Sequence, residues 1–208
     1  VETRLKVHLG CGHDRLEGFV NVDCQTTAAT DRLTDLNSPD FESNSVALAY
    51  SHAFFEHLFR DYRLPHLTRI YESLVGDGVC CYIGLPHFRN IAKLYLEGEI
   101  NLAWVYRYTH GDPEGCYDPL KNSAAWLAQL HKSLFDEEAM STLLKQAGFG
   151  SFVIFCYAYP RDEGDTPINI GFYAAKNVQS TESLRQKALE FLKQFDHHRI
   201  RINTLQWL

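Results

Sequence analysis

Apolar positions along this chain fall in short runs that predict strands alternating with helices. Leu5 to Leu9 carries Val and Leu at alternate places and stops at Gly10-Cys11-Gly12, as a buried strand entering a tight loop would. Phe19 to Asp23 is a second apolar run, and it ends on a carboxylate. Thr34, Asp35 and Leu36 read as the end of a third strand, and Val46 to Tyr50 as a fourth. A helix follows through Phe59, and Pro65 opens a second helical stretch as a favoured first-turn residue, with Leu67, Ile70, Tyr71 and Leu74 on one face. Gly76-Asp77-Gly78 stops it, and Val79 to Leu85 is a buried fifth strand ending at Pro86 and His87. Further on, Asp136 caps a helix carrying Met140, Leu143, Leu144 and Ala147, ended by Gly148. Phe152 to Tyr159 and Ile168 to Ala175 are strands joined by the polar loop Arg161 to Thr166. A last helix, Thr181 to Phe195, precedes an apolar tail from Ile200 to Leu208.

Two adjacent parallel strands would bring the glycine loop and Asp23 to one edge of a sheet, where open α/β sheets bind ligands. A carboxylate there accepts the hydroxyls of a ribose, and glycines let main-chain N–H groups approach a ligand that a Cβ would hold off. A dinucleotide fingerprint would need a third glycine where Arg15 stands. The interval Gly12 to Gly18 is also too short for the helix that such a fold places there.

In order, Leu9 to Gly12, the acid at Asp23, Thr34 to Leu36, Ser45 to His52, Glu56-His57-Leu58 and Leu74 to Gly78 resemble the successive motifs of class I S-adenosylmethionine-dependent methyltransferases of the broad small-molecule type. The resemblance covers roughly residues 4–87, and more loosely Phe135 to Lys176. It implies an α/β, Rossmann-like doubly wound sheet of about seven strands, the last antiparallel. Residues 1–178 would be the cofactor-binding domain and 179–208 a C-terminal helical extension. It implies S-adenosylmethionine as cofactor, held by Leu9, Gly10, Cys11, Gly12, Asp23, Cys24, Asp35, Leu36, Ser51, His52 and His57. The Asp35-Leu36 pair would lie beside the adenine, a turn cap by Asp35 being the other reading. The short opening departs from the commonest pattern and removes the first helix, while leaving the glycine loop and the acidic strand end.

Composition narrows the partners. The net charge of −6 over 208 residues argues against a nucleic-acid surface, which needs clustered Lys and Arg. A hydrophobic fraction of 45% suffices for a core, and no apolar run reaches the length of a membrane span. From the early strand no signal peptide is expected, and Val1 in place of Met suggests a trimmed start. Six scattered cysteines form no disulfide framework and no C-x-x-C pair, so free thiols in a cytoplasmic protein are expected. Cys11 and Cys24 are read first as small apolar fillers. The tail is expected to pack on its own domain, with a homodimer contact as the alternative.

Residues 88–131 differ in texture, being rich in Tyr, Trp, His and Asn. Placed after the fifth strand, they would lie above the ligand edge, as a substrate-covering lid or as a surface insertion packed on the core. His87, Tyr106, His110, Tyr117 and His131 are the candidate substrate contacts. His52, at the end of the fourth strand, is the first candidate for a general base. Glu56-His57 invites a metal reading, since metal-dependent relatives of the resembled family carry a Glu-x-x-Glu-His pattern there. Ala53 replaces the first Glu and removes a hard ligand, so no metal is expected. The expected function is methyl transfer to a small molecule, metabolite or saccharide. A protein of this fold without turnover, acting through its surface, is the alternative.

Overall fold

The computed structural model describes residues 4–111, 128–160 and 165–208. Its sheet contains β1 (Leu5–Leu9), β2 (Val20–Asp23), β3 (Arg32–Leu33), β4 (Val46–His52), β5 (Leu74–Pro86), β6 (Ser151–Tyr157), β7 (Asn169–Ala175) and β8 (Gln206–Trp207). Their spatial order is β3-β2-β1-β4-β5-β7-β6-β8. Strands β1 to β5 pair in parallel, β7 runs antiparallel to both β5 and β6, and β8 runs antiparallel to β6. The chain order reverses between β1 and β4, so the crevice for a ligand opens at their carboxyl ends.

One face of the sheet is covered by α1 (Arg60–Ser73) and α4 (Glu137–Gln146), packed in a cluster with Val7, Leu9, Ala49, Tyr82 and Phe172. The other is covered by α5 (Thr181–Leu192), which buries Leu184, Ala188 and Leu192 against Tyr50, Cys81 and Tyr157. Strand alternation sorts the two sets, because neighbouring residues of a strand point to opposite faces. Two further helices, α2 (Phe88–Leu96) and α3 (Leu102–His110), belong to the segment after β5. That segment leaves and returns at one point: Phe88 N–H donates to the Phe135 carbonyl at 2.9 Å, and Phe135 N–H to the Pro86 carbonyl at 3.4 Å. Among the described residues no helix is long and apolar enough to cross a membrane.

Several boundaries differ from the sequence expectation. The third strand is Arg32–Leu33, and Thr34 to Leu36 form the loop just beyond it. The helix expected through Phe59 is a single 3-10 turn, Phe55–His57. Pro65 lies inside α1, at its sixth residue and not at its start; it removes the main-chain bond to the Asp61 carbonyl, and its ring crowds that carbonyl. Strand β5 begins at Leu74, since Leu74 pairs with Val46, and Gly76 to Gly78 make a bulge before Val79 pairs with Leu48. Helix α5 ends at Leu192 and a 3-10 turn, Lys193–Phe195, completes the predicted run. The tail packs on its own domain and supplies an eighth strand, where about seven were expected; Trp207 meets the Phe155 ring edge-on at 5.7 Å.

No helix stands between β1 and β2, as the short interval requires. Asn21, fully buried in β2, holds that connection with its side chain. Its Oδ1 accepts from the Leu16 N–H at 2.9 Å and from His8 Nδ1 at 3.1 Å, while its Nδ2 donates to the Leu16 and Phe19 carbonyls and to Asp31. Arg15, where a dinucleotide loop would have its third glycine, pairs with Asp31 at 2.7 Å.

Candidate functional site

The register sets Leu9 against Val22 and against Ser51, so the ends of β1, β2 and β4 emerge together. A cavity of about 440 Å³ opens there, lined by Gly10, Gly12, Asp23, Cys24, Asp35, Leu36, Ala53, Phe54, His57 and Lys132 among others. The main-chain N–H groups of Gly10 and Cys11 both turn back to the Val22 carbonyl, at 2.9 and 3.1 Å, which curls the loop over β2. Gly12 then donates to Asp23 Oδ2 at 2.8 Å, and Gln25 N–H donates to Asp23 Oδ1 at 3.0 Å. Each carboxylate oxygen keeps a second lone pair for a ligand. Gly12 has φ +53°, and a Cβ there would meet nothing within 4 Å. It would project into open space that a bound molecule can fill. A Cβ on Gly10 would instead collide with the ring of Phe54.

Seven of the expected cofactor residues line this cavity: Gly10, Gly12, Asp23, Cys24, Asp35, Leu36 and His57. Asp35 also closes the expected turn, its Oδ1 accepting from the Asn37 N–H at 2.9 Å. Leu9, Cys11 and Ser51 lie beneath the wall, all at most 3% exposed, and Ser51 Oγ donates to the Leu9 carbonyl at 3.1 Å. Desolvation and the neighbouring Asp23 carboxylate push the thiols of buried Cys11 and exposed Cys24 above their ordinary range, which leaves both as neutral groups.

His52, read from the sequence as both base and cofactor contact, does not line this cavity. It lies two residues after Tyr50 on β4 and therefore shares the face covered by α5. There it stacks on Tyr159, with ring centres 5.9 Å apart, and lines a separate cleft with Asp14, Phe195 and Arg199. Desolvation lowers its pKa to about 4. Arg199 ties that cleft to Asp14 by an ion pair and donates to the Tyr50 hydroxyl at 2.9 Å.

A second cavity, about 230 Å³, adjoins the carboxyl end of β5 and is lined by Gly84, Pro86, Arg107, Tyr108, Gly111, His131, Ile168 and Asn169. Helix α3 forms one wall, through Arg107 and Tyr108. Of the candidate substrate contacts among the described residues, only His131 lines this cavity. Tyr106 and His110 stack on each other at 4.6 Å, both on the exposed side of α3. His87 is buried and faces Glu137 at 3.3 Å. Tyr117 lies outside the described residues.

Between the two cavities stands Glu56, 1% exposed, in the 3-10 turn after β4. Its main-chain carbonyl accepts from the N–H groups of Lys132 and Ser133, at 2.8 and 3.1 Å, and Ser133 Oγ donates to the Leu58 carbonyl at 2.7 Å. These bonds clamp the end of the insertion onto the turn and set His131 beside His57, ring centres 5.2 Å apart. Burial raises the Glu56 pKa to about 8 and lowers that of His131 to about 4. Phe54, Lys132 and Asn169 line the cavities without having been singled out in the sequence. Their placement depends on contacts across the whole chain, and no local motif marks them.

No protein-family model matches this chain, and no curated protein matches it significantly. Solved structures do. An S-adenosylmethionine-dependent methyltransferase from Thermotoga maritima superposes with a TM-score of 0.54 at 13% identity, covering 83% of this chain and 82% of its own. One from Mesorhizobium loti gives 0.52 at 17% identity, covering 82% and 90%. One from Archaeoglobus fulgidus gives 0.52 at 12% identity, covering 84% and 87%. At such identities the likeness concerns the fold. With its strand order, its antiparallel β7 and its glycine loop facing an acidic strand end, this chain has the class I S-adenosylmethionine-dependent methyltransferase fold.

Proposed function

We propose that the chain binds S-adenosylmethionine in the larger cavity and transfers its methyl group to a small-molecule acceptor seated in the smaller one. The observation that carries this reading is the joined Gly12 and Asp23 at the cavity wall. The residues fit the cofactor in three respects. Gly12 leaves a cradle that any Cβ would fill, Asp23 keeps lone pairs for ribose hydroxyls, and Asp35 with Leu36 offers an acidic and an apolar contact for a base.

The bound cofactor supplies an electrophilic methyl on a positive sulfur. What the protein must add is alignment of the acceptor and exclusion of water. Phe54, Leu58 and Phe59 give the larger cavity its apolar side. Arg107, Tyr108 and Asn169 give the smaller one polar groups for an acceptor. Helix α3 forms a wall of the smaller cavity beside the ends of β5 and β7, which supports a role for the inserted segment in choosing the acceptor. His52, on the opposite face, takes no part in the transfer.

Calorimetric titration with S-adenosylmethionine or S-adenosylhomocysteine tests the first half, and a metabolite screen for a mass gain of one methyl tests the second. Saturable binding lost in Asp23→Ala supports the reading. Equal affinity in the folded variant would remove Asp23 and this cavity from it.

A further inference from the structure

Two histidines and a carboxylate converge between the cavities in an arrangement that hydrogen bonding among the described residues does not satisfy. Glu56 Oε1 lies 3.9 Å from His57 Nε2 and 3.9 Å from His131 Nε2. The three donor atoms all fall within 4.8 Å of one another. His57 Nδ1 faces the Leu130 carbonyl at 3.0 Å, and His131 Nδ1 faces the Tyr108 carbonyl at 3.0 Å. A carbonyl only accepts, so each Nδ1 carries the ring proton and each Nε2 presents a bare lone pair. Three acceptors therefore point into one space. Glu56 Oε2 is buried and has no hydrogen-bond partner among the described residues.

A proton on Glu56 does not resolve this, because 3.9 Å is beyond hydrogen-bond reach of either ring. A cation does. A point equidistant from three atoms so spaced lies about 2.2–2.5 Å from each, and contraction of a few tenths of an ångström reaches the ~2.0–2.2 Å of bonds to imidazole and carboxylate. The carbonyl bonds at both Nδ1 atoms are the outer contacts that orient metal-bound histidines. Gly111 makes room for the arrangement. Its φ is +88°, and a Cβ there would lie 2.9 Å from the Gln129 carbonyl oxygen and 3.3 Å from the His131 ring.

We propose that Glu56 Oε1, His57 Nε2 and His131 Nε2 bind a divalent first-row transition-metal ion in the wall between the two cavities. Two imidazoles favour zinc, iron, cobalt or nickel over magnesium, which prefers an all-oxygen shell. Sequence neighbourhood offers only Glu56 and His57, which is why no metal is expected from it; the fold adds His131. Three protein ligands leave positions open, and His57 lines one cavity while His131 lines the other. An oxygen of the acceptor can take such a position and become more acidic there. That use of the ion rests on the methyl-transfer reading. The site itself does not.

The test is titration of chelator-treated protein with Co²⁺, followed by its visible ligand-field absorption, alongside S-adenosylhomocysteine calorimetry on the same samples. The expected result is one Co²⁺ per chain, displaced by Zn²⁺ and not by equimolar Mg²⁺. Glu56→Gln and His131→Gln should each weaken binding by at least about tenfold, while a change at the exposed His197, His197→Gln, leaves it unchanged. Should His131→Gln fail to fold, the near-isosteric Glu56→Gln decides. Absence of saturable Co²⁺ binding, equal affinity in folded Glu56→Gln, or loss in His197→Gln overturns the site. Cofactor binding without metal binding would sink this inference alone, and metal binding without cofactor binding would sink the methyl-transfer reading alone.

Discussion

The N–H of Gly12 donates to Asp23 Oδ2 at 2.8 Å, so the loop after β1 and the acid ending β2 are one unit at the cavity wall. The bond orients the carboxylate and also fixes the loop that must cradle a ligand. Asp23→Ala is expected to lower affinity for S-adenosylhomocysteine by about ten- to a hundredfold, or roughly 1.5–3 kcal/mol for a charged acceptor lost from a ligand. Titration calorimetry reads this directly. Asp23→Asn should fall between the two, since it keeps one acceptor oxygen.

His52→Gln is expected to leave that affinity within about twofold of the parent, because the side chain faces the α5 side of the sheet. A tenfold loss would return His52 to the cofactor site.

Asn21 replaces a helix as the brace between β1 and β2. Asn21→Leu has comparable volume but leaves the Leu16 N–H and the neighbouring carbonyls without their partner. A loss of about 1–3 kcal/mol is expected for buried polar groups so stranded. Urea unfolding measures it, and an unchanged midpoint would show that water takes over these bonds.

Gly111→Ala tests how tightly the insertion is seated. Its positive φ disfavours any side chain, and the new methyl would press on the Gln129 carbonyl and the His131 ring. The expected cost is about 1–3 kcal/mol, seen as a lower melting temperature. Gly98 also has a positive φ, but a Cβ there meets nothing, so Gly98→Ala should cost less.

His66 makes stability depend on pH. It is fully buried, its Nδ1 donating to the Leu36 carbonyl at 2.6 Å and its Nε2 accepting from the Tyr82 hydroxyl at 2.7 Å. Burial lowers its pKa from 6.5 to about 4. Between those values the unfolded chain binds the proton and the folded chain does not. Stability therefore falls as pH drops through this window, by up to about 1.4 kcal/mol per unit for one such group, and levels off below it. Chemical denaturation of His66→Gln across the same pH range should show a shallower acid slope. An identical slope would assign the effect to other groups.

Much of the fold is legible in the residues themselves. Strands β1, β2, β4, β6 and β7 and the Asp136-capped helix follow from local periodicity and end signals, which depend on neighbours in the chain. The gap from Gly12 to Gly18 is too short to hold a helix, whatever surrounds it. The glycine loop and Asp23 are recognisable because a ligand edge restricts the residue types at fixed strand ends. Less legible are the start of β5 and the place of Pro65. At those positions pairing with Val46 and burial of α1 outweigh the turn and cap preferences of single residues.

The sequence by itself determined which residues alternate, where the chain must turn, and that an acid and a glycine loop end neighbouring strands. Tertiary structure decided the rest. It turned His52 to the far face, since a strand's side is set by register and packing and not by nearness to a motif. It paired the C-terminal tail with β6 as β8. It also brought His131 to Glu56 and His57 through main-chain bonds from Lys132 and Ser133 to the Glu56 carbonyl. Contacts between residues so far apart in the chain follow from closure of the whole sheet and its insertion, and no local pattern encodes them.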